Sequence, residues 1–527
     1  MKNLKTLVAA FVFSMGTLSA QTTVPNVLNL RSVSNSGTIV ENNKIVGYYV
    51  FYTKEKVDKE NNAYEIAIFD DNYNASGNFE IVRSKKSVLL EVVYNGSSFM
   101  MQFYNNKTGM EFVSYDRSGT LLGKSTIAAD DLSKWEVRKI EANYASQTEN
   151  LSIYPMGNQG FIRNTFVKND KLGYEIVAYD NHAKEIWSYG TDPNSSLVET
   201  SEIVDVSENI LTATVAKKKN MMTKEMDMYC LILDTKTGKK IKEFQLGTEA
   251  TGRKSILKSF INEKTQKIII VGEYFKPKDD YLKDKSQGIF AMELDLSGNE
   301  LSTTEYAWKG DIDKFKMENM DEEDKKEAGK PFSIFFHDIV VSDNGHIFLI
   351  GEQFRKQVSA GGVAMQLAAG ATGGSTNAGA FEVRVGNMVV IELDENKKMV
   401  DFDIVSKKKT SINVPGGGLM SSSTMGYYIK SLGGFDYSFT SRDEAKDQFD
   451  IVYIDFNRKE QKGDIKKSDV MIGVISVRDG EDSAKRVPIN SNSFYFWIQP
   501  AKPGYISVGE YYRKEKKLEF RMESLSN

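Results

Sequence analysis

Apolar residues come in short runs along this chain, each closed by a polar turn, and the runs are of two kinds. Ile268-Ile269-Ile270-Val271 and Ile347-Phe348-Leu349-Ile350 are apolar at every position, as a strand buried on both faces must be. Val400-Asp401-Phe402-Asp403-Ile404 alternates, which suits a strand with one face in water. Asn95-Gly96 and Asn344-Gly345 stand between such runs, and Asn-Gly favours the tight turn of a hairpin. The pattern predicts an all-β chain of antiparallel hairpins.

The runs also repeat. An apolar run ends in Asp, a turn with Gly, Asn or Lys follows, and another strand-like run begins. Phe112-Val113-Ser114-Tyr115-Asp116, Ile176-Val177-Ala178-Tyr179-Asp180, Leu231-Ile232-Leu233-Asp234 and Ala291-Met292-Glu293-Leu294-Asp295 are the clearest copies. Runs ending at Asp394 and Asp455 are later copies, and one ending at Asp70 is earlier and looser. A second repeat precedes the first: Ile270-Val271-Gly272-Glu273-Tyr274, Leu349-Ile350-Gly351-Glu352-Gln353 and Ser507-Val508-Gly509-Glu510-Tyr511. Together they spell four antiparallel strands in about 45–60 residues, the footprint of a β-propeller blade. The repeated Asp is read as a structural acceptor for backbone N–H groups of the following turn.

Seven strands end in Asp, and Leu518-Glu519-Phe520-Arg521-Met522 reads as an eighth without the acid. No strand follows it, so ring closure is expected to bring Asn26 to Val33 alongside. Eight blades are favoured over seven, and the rival architecture is a propeller with a small β-sandwich. Size agrees with repetition, since one compact core rarely grows beyond ~250–300 residues and this chain has 527.

The first twenty residues stand apart. Lys2 and Lys5 precede an uncharged apolar run from Leu7 to Met15, and Leu18-Ser19-Ala20 offers small residues for cleavage. Residues 1–20 are therefore expected to be a signal peptide and 21–527 the propeller domain. The run is shorter than the ~20 apolar residues of a bilayer span, and no later stretch is long and apolar enough to cross as a helix. The expected address is outside the cytoplasm, periplasmic or extracellular. Charge then narrows the partners. There are 68 Lys and Arg against 72 Asp and Glu, a net charge of −4; losing Lys2 and Lys5 makes it −6. No basic footprint for nucleic acid is present. The single cysteine, Cys230, lies in an apolar run and reads as a buried structural group.

The step from Asp295 to Asp394 is the longest and holds two insertions, at about 308–331 and 356–382. Ile312 to Lys330 is charged and helix-like and includes Asp321-Glu322-Glu323-Asp324, without the spacing of an EF-hand. Ser359 to Gly379 is rich in Gly and Ala and reads as a loose loop, with a lid or partner contact as the alternative. Pro415-Gly416-Gly417-Gly418 reads as a flexible joint.

Candidate chemistry is sparse. His182 and His346 fall in predicted turns, whereas His337 follows Phe335-Phe336 in a strand and precedes Asp338. If that strand is the innermost of its blade, alternation sends His337 and Asp338 to opposite faces, and one of them faces the channel. They are the candidate ligand-binding residues; the competing reading is a purely structural pair. Zinc spacing, a nucleophile elbow and a phosphate-cradling loop are all missing, so no metal or cofactor is expected. Paired carboxylates for glycoside cleavage depend on geometry that spacing does not give.

Three resemblances attach to these motifs. Met228-Tyr229-Cys230-Leu231-Ile232-Leu233-Asp234 with Thr237-Gly238-Lys239 resembles the blade motif of quinoprotein-type propellers, with Trp187 holding the usual tryptophan place in an earlier blade. That family includes dehydrogenases, whose adjacent cysteine pair is missing here, and non-enzymatic outer-membrane assembly proteins. Ser342-Asp343-Asn344-Gly345 resembles the Asp-box turn of sialidase-like propellers. As a whole the chain is similar to exported propeller-like proteins of Gram-negative bacteria. The last resemblance implies a fold and an address, not an activity. Repeated structure with almost no nucleophile, metal or cofactor signature points to a non-enzymatic binding or scaffold propeller of the cell envelope with a protein, peptide or glycan ligand. The alternative is a glycan-active hydrolase or lyase with carboxylates at the channel mouth.

Overall fold

A strand that is apolar on both faces needs protein on both sides, and this fold provides it by standing sheets side by side in a ring. The structure is a computed structural model describing residues 21–30, 36–41, 44–146, 152–167, 171–223, 225–280, 283–314, 332–358, 381–413, 421–443, 445–456, 470–478, 481–489, 491, 493 and 495–525. Eight antiparallel meanders form an eight-bladed β-propeller. The inner strands of blades 1 to 8 are Ser36–Glu41, Val88–Tyr94, Ile153–Pro155, Val198–Val206, Gly252–Asn262, Ser333–Val341, Tyr437–Asp443 and Tyr495–Pro500. Inner strands meet around the axis between blades 1 and 2, 2 and 3, 4 and 5, 5 and 6, and 7 and 8, and that of blade 8 meets that of blade 1.

Each of the eight seams between blades has its own apolar cluster. Strand alternation feeds two seams at once. Ile268 and Ile270 pack toward blade 4, while Ile269 and Val271 pack toward blade 6. Ile347 and Leu349 face blade 5, while Phe348 and Ile350 face blade 7. This is why those runs carry no polar residue. Cys230 is fully buried at the seam of blades 4 and 5, and burial pushes its thiol up to about 12. Trp187, on the outer strand of blade 3, donates to Thr235 O at 2.8 Å and packs on Gly238 of blade 4.

The repeated Asp does what the turn chemistry predicts in six blades. Asp70, Asp116, Asp180, Asp234, Asp295 and Asp394 each accept backbone N–H groups of the turn that follows, as from Thr120 at 2.8 Å and Lys398 at 2.7 Å. Asp455 is not a seventh copy. It ends the second strand of blade 7 (Gln448–Phe456), is fully buried, and pairs with Arg486 Nε at 2.6 Å. The third and fourth strands of that blade are Val470–Arg478 and Glu481–Pro488. The Asn-Gly hairpins form as expected, with Gly96 and Gly345 at φ of 93° and 89°.

Ring closure differs from expectation. The outer strand of blade 8 is Gln21–Val24, paired antiparallel with Lys517–Ser524, and not Asn26 to Val33. Val24 and Val27 are the buried anchors, and Asn26, with its left-handed φ of 60°, turns the chain between them. The following residues cross to blade 1, where Leu28 N bonds Thr53 O at 2.9 Å.

Two helices were not anticipated. Helix α1 (Lys134–Ser146) connects blades 2 and 3, and helix α2 (Ser422–Ser431) connects blades 6 and 7. In a meander every turn reverses direction, so connections between blades share one end with the turns joining second and third strands. Both helices therefore lie on one face, with the elongated hairpin of blade 6 (Ile347–Val358 and Phe381–Leu393). The Asp turns lie on the other. Residues 1–20, Asp321 to Asp324, Ser359 to Gly379 and Pro415 to Gly418 fall outside the described residues. Among the described residues no helix is long and apolar enough to cross a membrane.

The seam that closes the ring is rich in rings. Phe520 stacks on Tyr73 at 5.3 Å and meets Phe69 at 5.7 Å and Trp497 at 5.8 Å. Phe520→Ala is expected to destabilise the protein by about 3–5 kcal/mol, read by denaturant unfolding. Unchanged stability would show that closure does not depend on this seam.

Candidate functional site

Four of the eight inner strands share one irregularity. Register with the second strand slips after Leu89, Ile203, Ile256 and Phe336, leaving Leu90, Val204, Leu257 and His337 as the extra residue. A bulge of this kind re-aims side chains. In each case the next residue is charged: Glu91, Asp205, Lys258 and Asp338. His337 thus occupies a place held by aliphatic residues in blades 2, 4 and 5.

The charged residues lie on the inner strands, beside the axis. Asp205 of blade 4 and Asp338 of blade 6 act on each other electrostatically although blade 5 stands between them. Burial pushes Asp205 up to about 6; bonds from Ile261 N (2.8 Å) and Val206 N, then Lys258, oppose this, and Asp338 adds to it. Burial pushes Glu91 up to about 7, against bonds from Ser152 Oγ (2.8 Å), Ser152 N (3.0 Å) and Ile153 N (3.3 Å). Asp338 accepts from Ile339 N at 2.9 Å and from the Tyr437 hydroxyl at 3.2 Å. These acids share a task. Glu91, Asp205 and Asp338 each reach the next blade and accept a donor on or beside its inner strand.

The helices add cations. Lys139 of α1 lies near Glu136, Arg163, Glu91 and Glu202, and Lys430 of α2 lies near Lys258, Glu202 and Asp338. Burial lowers the pKa of both lysines; Lys258 lowers Lys430 further. Lys430 nonetheless keeps an exposed surface, so it stands in a wet, walled space. Among the described residues Lys139, Lys258 and Lys430 have no ion-pair partner. Helix α2 is held over the channel by Tyr427, whose hydroxyl donates to Ile256 O at 3.0 Å, and by Gly426, which lies against Phe335.

His337 turns away from this space. It is 6% exposed, stacked on Tyr437 at 4.6 Å and edge-on to Phe435 at 4.8 Å. Its Nε2 lies 3.4 Å from Glu352 Oε2, without the alignment of a hydrogen bond. Burial lowers the His337 pKa against the pull of Glu352, so the ring is neutral at neutral pH. Glu352 comes from the second repeat and is fully buried. It accepts from the backbone N–H groups of Asp436 and Tyr437, both at 3.1 Å, and pairs with Lys407 Nζ at 2.8 Å. Lys407 also binds Asp436. Burial pushes Glu352 up, but Lys407 outweighs it and holds the carboxyl below its usual range. The structure therefore separates the two sequence candidates, with Asp338 in the channel wall and His337 inside the seam of blades 6 and 7.

A family of unknown function, DUF6770, matches residues 1–526. The chain belongs to that family. No curated protein matches this DUF6770 chain. Among solved structures it is similar to the WD40 domain of SCAP from fission yeast, at 7% identity and a TM-score of 0.36, over 95% of this chain and 98% of that one. Prolyl oligopeptidase B from Galerina marginata is similar at 9% identity and a TM-score of 0.38, over 91% of this chain and 55% of that one. The β-propeller domain of the Trilobed protease from Pyrococcus furiosus is similar at 10% identity and a TM-score of 0.30, over 71% and 96%.

Sequence reading of this DUF6770 chain missed Lys139, Lys258, Lys430, Glu202, Asp205 and Glu91. A signal was present for three of the strand residues: two hydrophobic residues followed by a charge, in Leu89-Leu90-Glu91, Ile203-Val204-Asp205 and Ile256-Leu257-Lys258. Phe336-His337-Asp338 is the same motif with a ring at its centre.

Two measurements test these assignments. The folded pKa of Glu91, about 7, stands above the usual 4.5. Its contribution to stability is therefore full below pH 4.5 and lost as pH rises through 7. Each pKa unit is worth about 1.4 kcal/mol, so Glu91→Gln should gain on the wild type by on the order of 3 kcal/mol between pH 4.5 and pH 8 in denaturant unfolding. A pH-independent difference would refute the assignment. Glu352→Gln leaves Lys407 without its fully buried partner and should destabilise by about 3–5 kcal/mol. A near-neutral effect would mean that Asp436 alone suffices for Lys407.

Proposed function

We propose that this chain is a non-enzymatic binding propeller of the bacterial cell envelope that holds its ligand in the channel beneath α1 and α2. One observation carries the reading. Three acids of the inner strands, Glu91, Asp205 and Asp338, are engaged in stitching one blade to the next, while Lys139, Lys258 and Lys430 stand without ion pairs among the described residues. Carboxylates engaged in that way are poorly suited to general acid or base work on a glycan, which needs an oxygen free to meet the substrate. Free lysines on a rigid scaffold suit recognition. The signal-peptide pattern of residues 1–20 supports an address outside the cytoplasm.

A screen of the purified protein against peptide and glycan arrays tests the reading. Lys258→Glu and Lys430→Glu should each weaken the strongest binder by about tenfold or more. Lys184→Glu, in an Asp turn on the opposite face, should leave it unchanged. Loss confined to Lys184→Glu would place the site on the other face. Cleavage of any arrayed glycan would replace the binding reading with the hydrolase or lyase one.

A further inference from the structure

We propose that the connection from Lys407 to Asp436, which carries α2, is a lid closed by a proton-dependent clasp at its neck. The two ends of this connection meet at one carboxylate. Glu352 of blade 6 pairs with Lys407 Nζ at 2.8 Å, just after the chain leaves that blade's outer strand. The same carboxylate accepts Asp436 N and Tyr437 N, both at 3.1 Å, where the chain enters blade 7. Asp436 turns back on the first end. Its Oδ2 accepts Lys407 Nζ and the Thr410 hydroxyl, the latter at 2.9 Å. Between these ends α2 reaches across to blade 5, where the Tyr427 hydroxyl donates to Ile256 O at 3.0 Å.

The neck is short of one positive charge. Glu352 and Lys407 are fully buried, and Asp436 keeps 12% of its side chain exposed. Two carboxylates therefore share one ammonium, and carboxylates sharing a site resist joint ionisation. A proton on one of them brings the neck to neutrality. Asp436 Oδ1 is its place, because Oδ2 already accepts two donors and Glu352 is committed to Lys407 and two amides. His337 is the other base within reach, with Nε2 at 3.4 Å from Glu352. Its ring is packed on Tyr437 and Phe435, and burial there holds it neutral against Glu352; Lys430 and Lys258 disfavour its charge further. Asp455, which accepts Lys408 N at 2.8 Å beside the neck, is paired with Arg486. Burial pushes Asp436 up to about 6; Lys407 opposes this, Glu352 adds to it and Thr410 opposes it. The folded value stands above the usual 3.8, so closing the neck takes up a proton. That contribution is full below pH 3.8 and lost as pH rises through 6, so the lid is tightest in acid.

Hydrogen–deuterium exchange of the purified protein, corrected for the intrinsic pH dependence of exchange, reads the lid directly. Protection of α2 amides should fall about tenfold between pH 5 and pH 8 relative to Ile268 to Val271. Asp436→Asn keeps an acceptor and cannot ionise, so it should abolish the fall. Thr410→Val removes a donor to the ionised form and should carry the fall on to higher pH. His337→Gln should leave the fall in place. Thermal midpoints at pH 5 check that each variant folds. Protection of α2 that ignores pH, or that falls equally in Asp436→Asn, overturns the proposal. A fall abolished by His337→Gln alone puts the proton on the imidazole and overturns its assignment to Asp436. The readout uses no ligand, so its failure leaves the binding reading standing, and failure of that reading leaves the clasp.

Discussion

Every blade of this protein has a strand that is apolar toward both neighbours, and such a strand cannot stand at the end of an open stack. Ile268 to Val271 feeds the seams on either side of blade 5, Ile347 to Ile350 feeds those on either side of blade 6, and the same demand passes around the ring until the last blade must meet the first. An open array would leave Phe69, Tyr73 and Phe520 facing water. Closure is thus a demand of the hydrophobic pattern, and pairing Gln21–Val24 with Lys517–Ser524 is how the chain meets it. One strand from the N-terminal part of the chain completes a blade begun far along it, so the two regions hold each other in place.

Hydrophobic seams set how blades stack but say little about their angle at the axis, where inner strands converge. There the protein uses directional bonds. Glu91, Asp205 and Glu352 each accept backbone N–H groups at the next blade, and Asp338 accepts the Tyr437 hydroxyl. The bulge before three of these acids lets one strand satisfy two needs, an apolar residue turned into the seam and a charge turned to the axis. The network of Glu352, Lys407 and Asp436 is the most buried version, and a charge cluster without water holds only where every partner is present.

This division explains what could be read in advance. The all-β class, the four-strand unit and the Asp turns rest on local chemistry, since an Asp bonding a backbone amide two to four residues on leaves its mark in the adjacent sequence. Asp455 misled because the same letters, an apolar run ending in Asp, also describe a second strand whose acid pairs with Arg486. The closing strand was missed by a few residues because pairing between positions hundreds of residues apart has no local mark. Helices α1 and α2 were missed because the repeat marks only strands and their turns, and both helices lie in long connections between its copies. Of the candidate pair, adjacency in sequence suggested a shared site, and the bulge at His337 undid it.

The axis is where the two kinds of design meet, and it leaves an asymmetry. An acid can serve as a staple because backbone N–H groups are abundant at the edge of an inner strand and a carboxylate accepts several at once. A lysine has no equal use there, since its ammonium has no lone pair with which to accept an amide. Lys258 stands where Glu91, Asp205 and Asp338 stand in other blades, yet it stitches nothing. Lys430 and Lys139 then approach from helices that the blades themselves do not require. Stability alone would favour an acid or an apolar residue at those positions, and this is the asymmetry on which the proposed binding role rests.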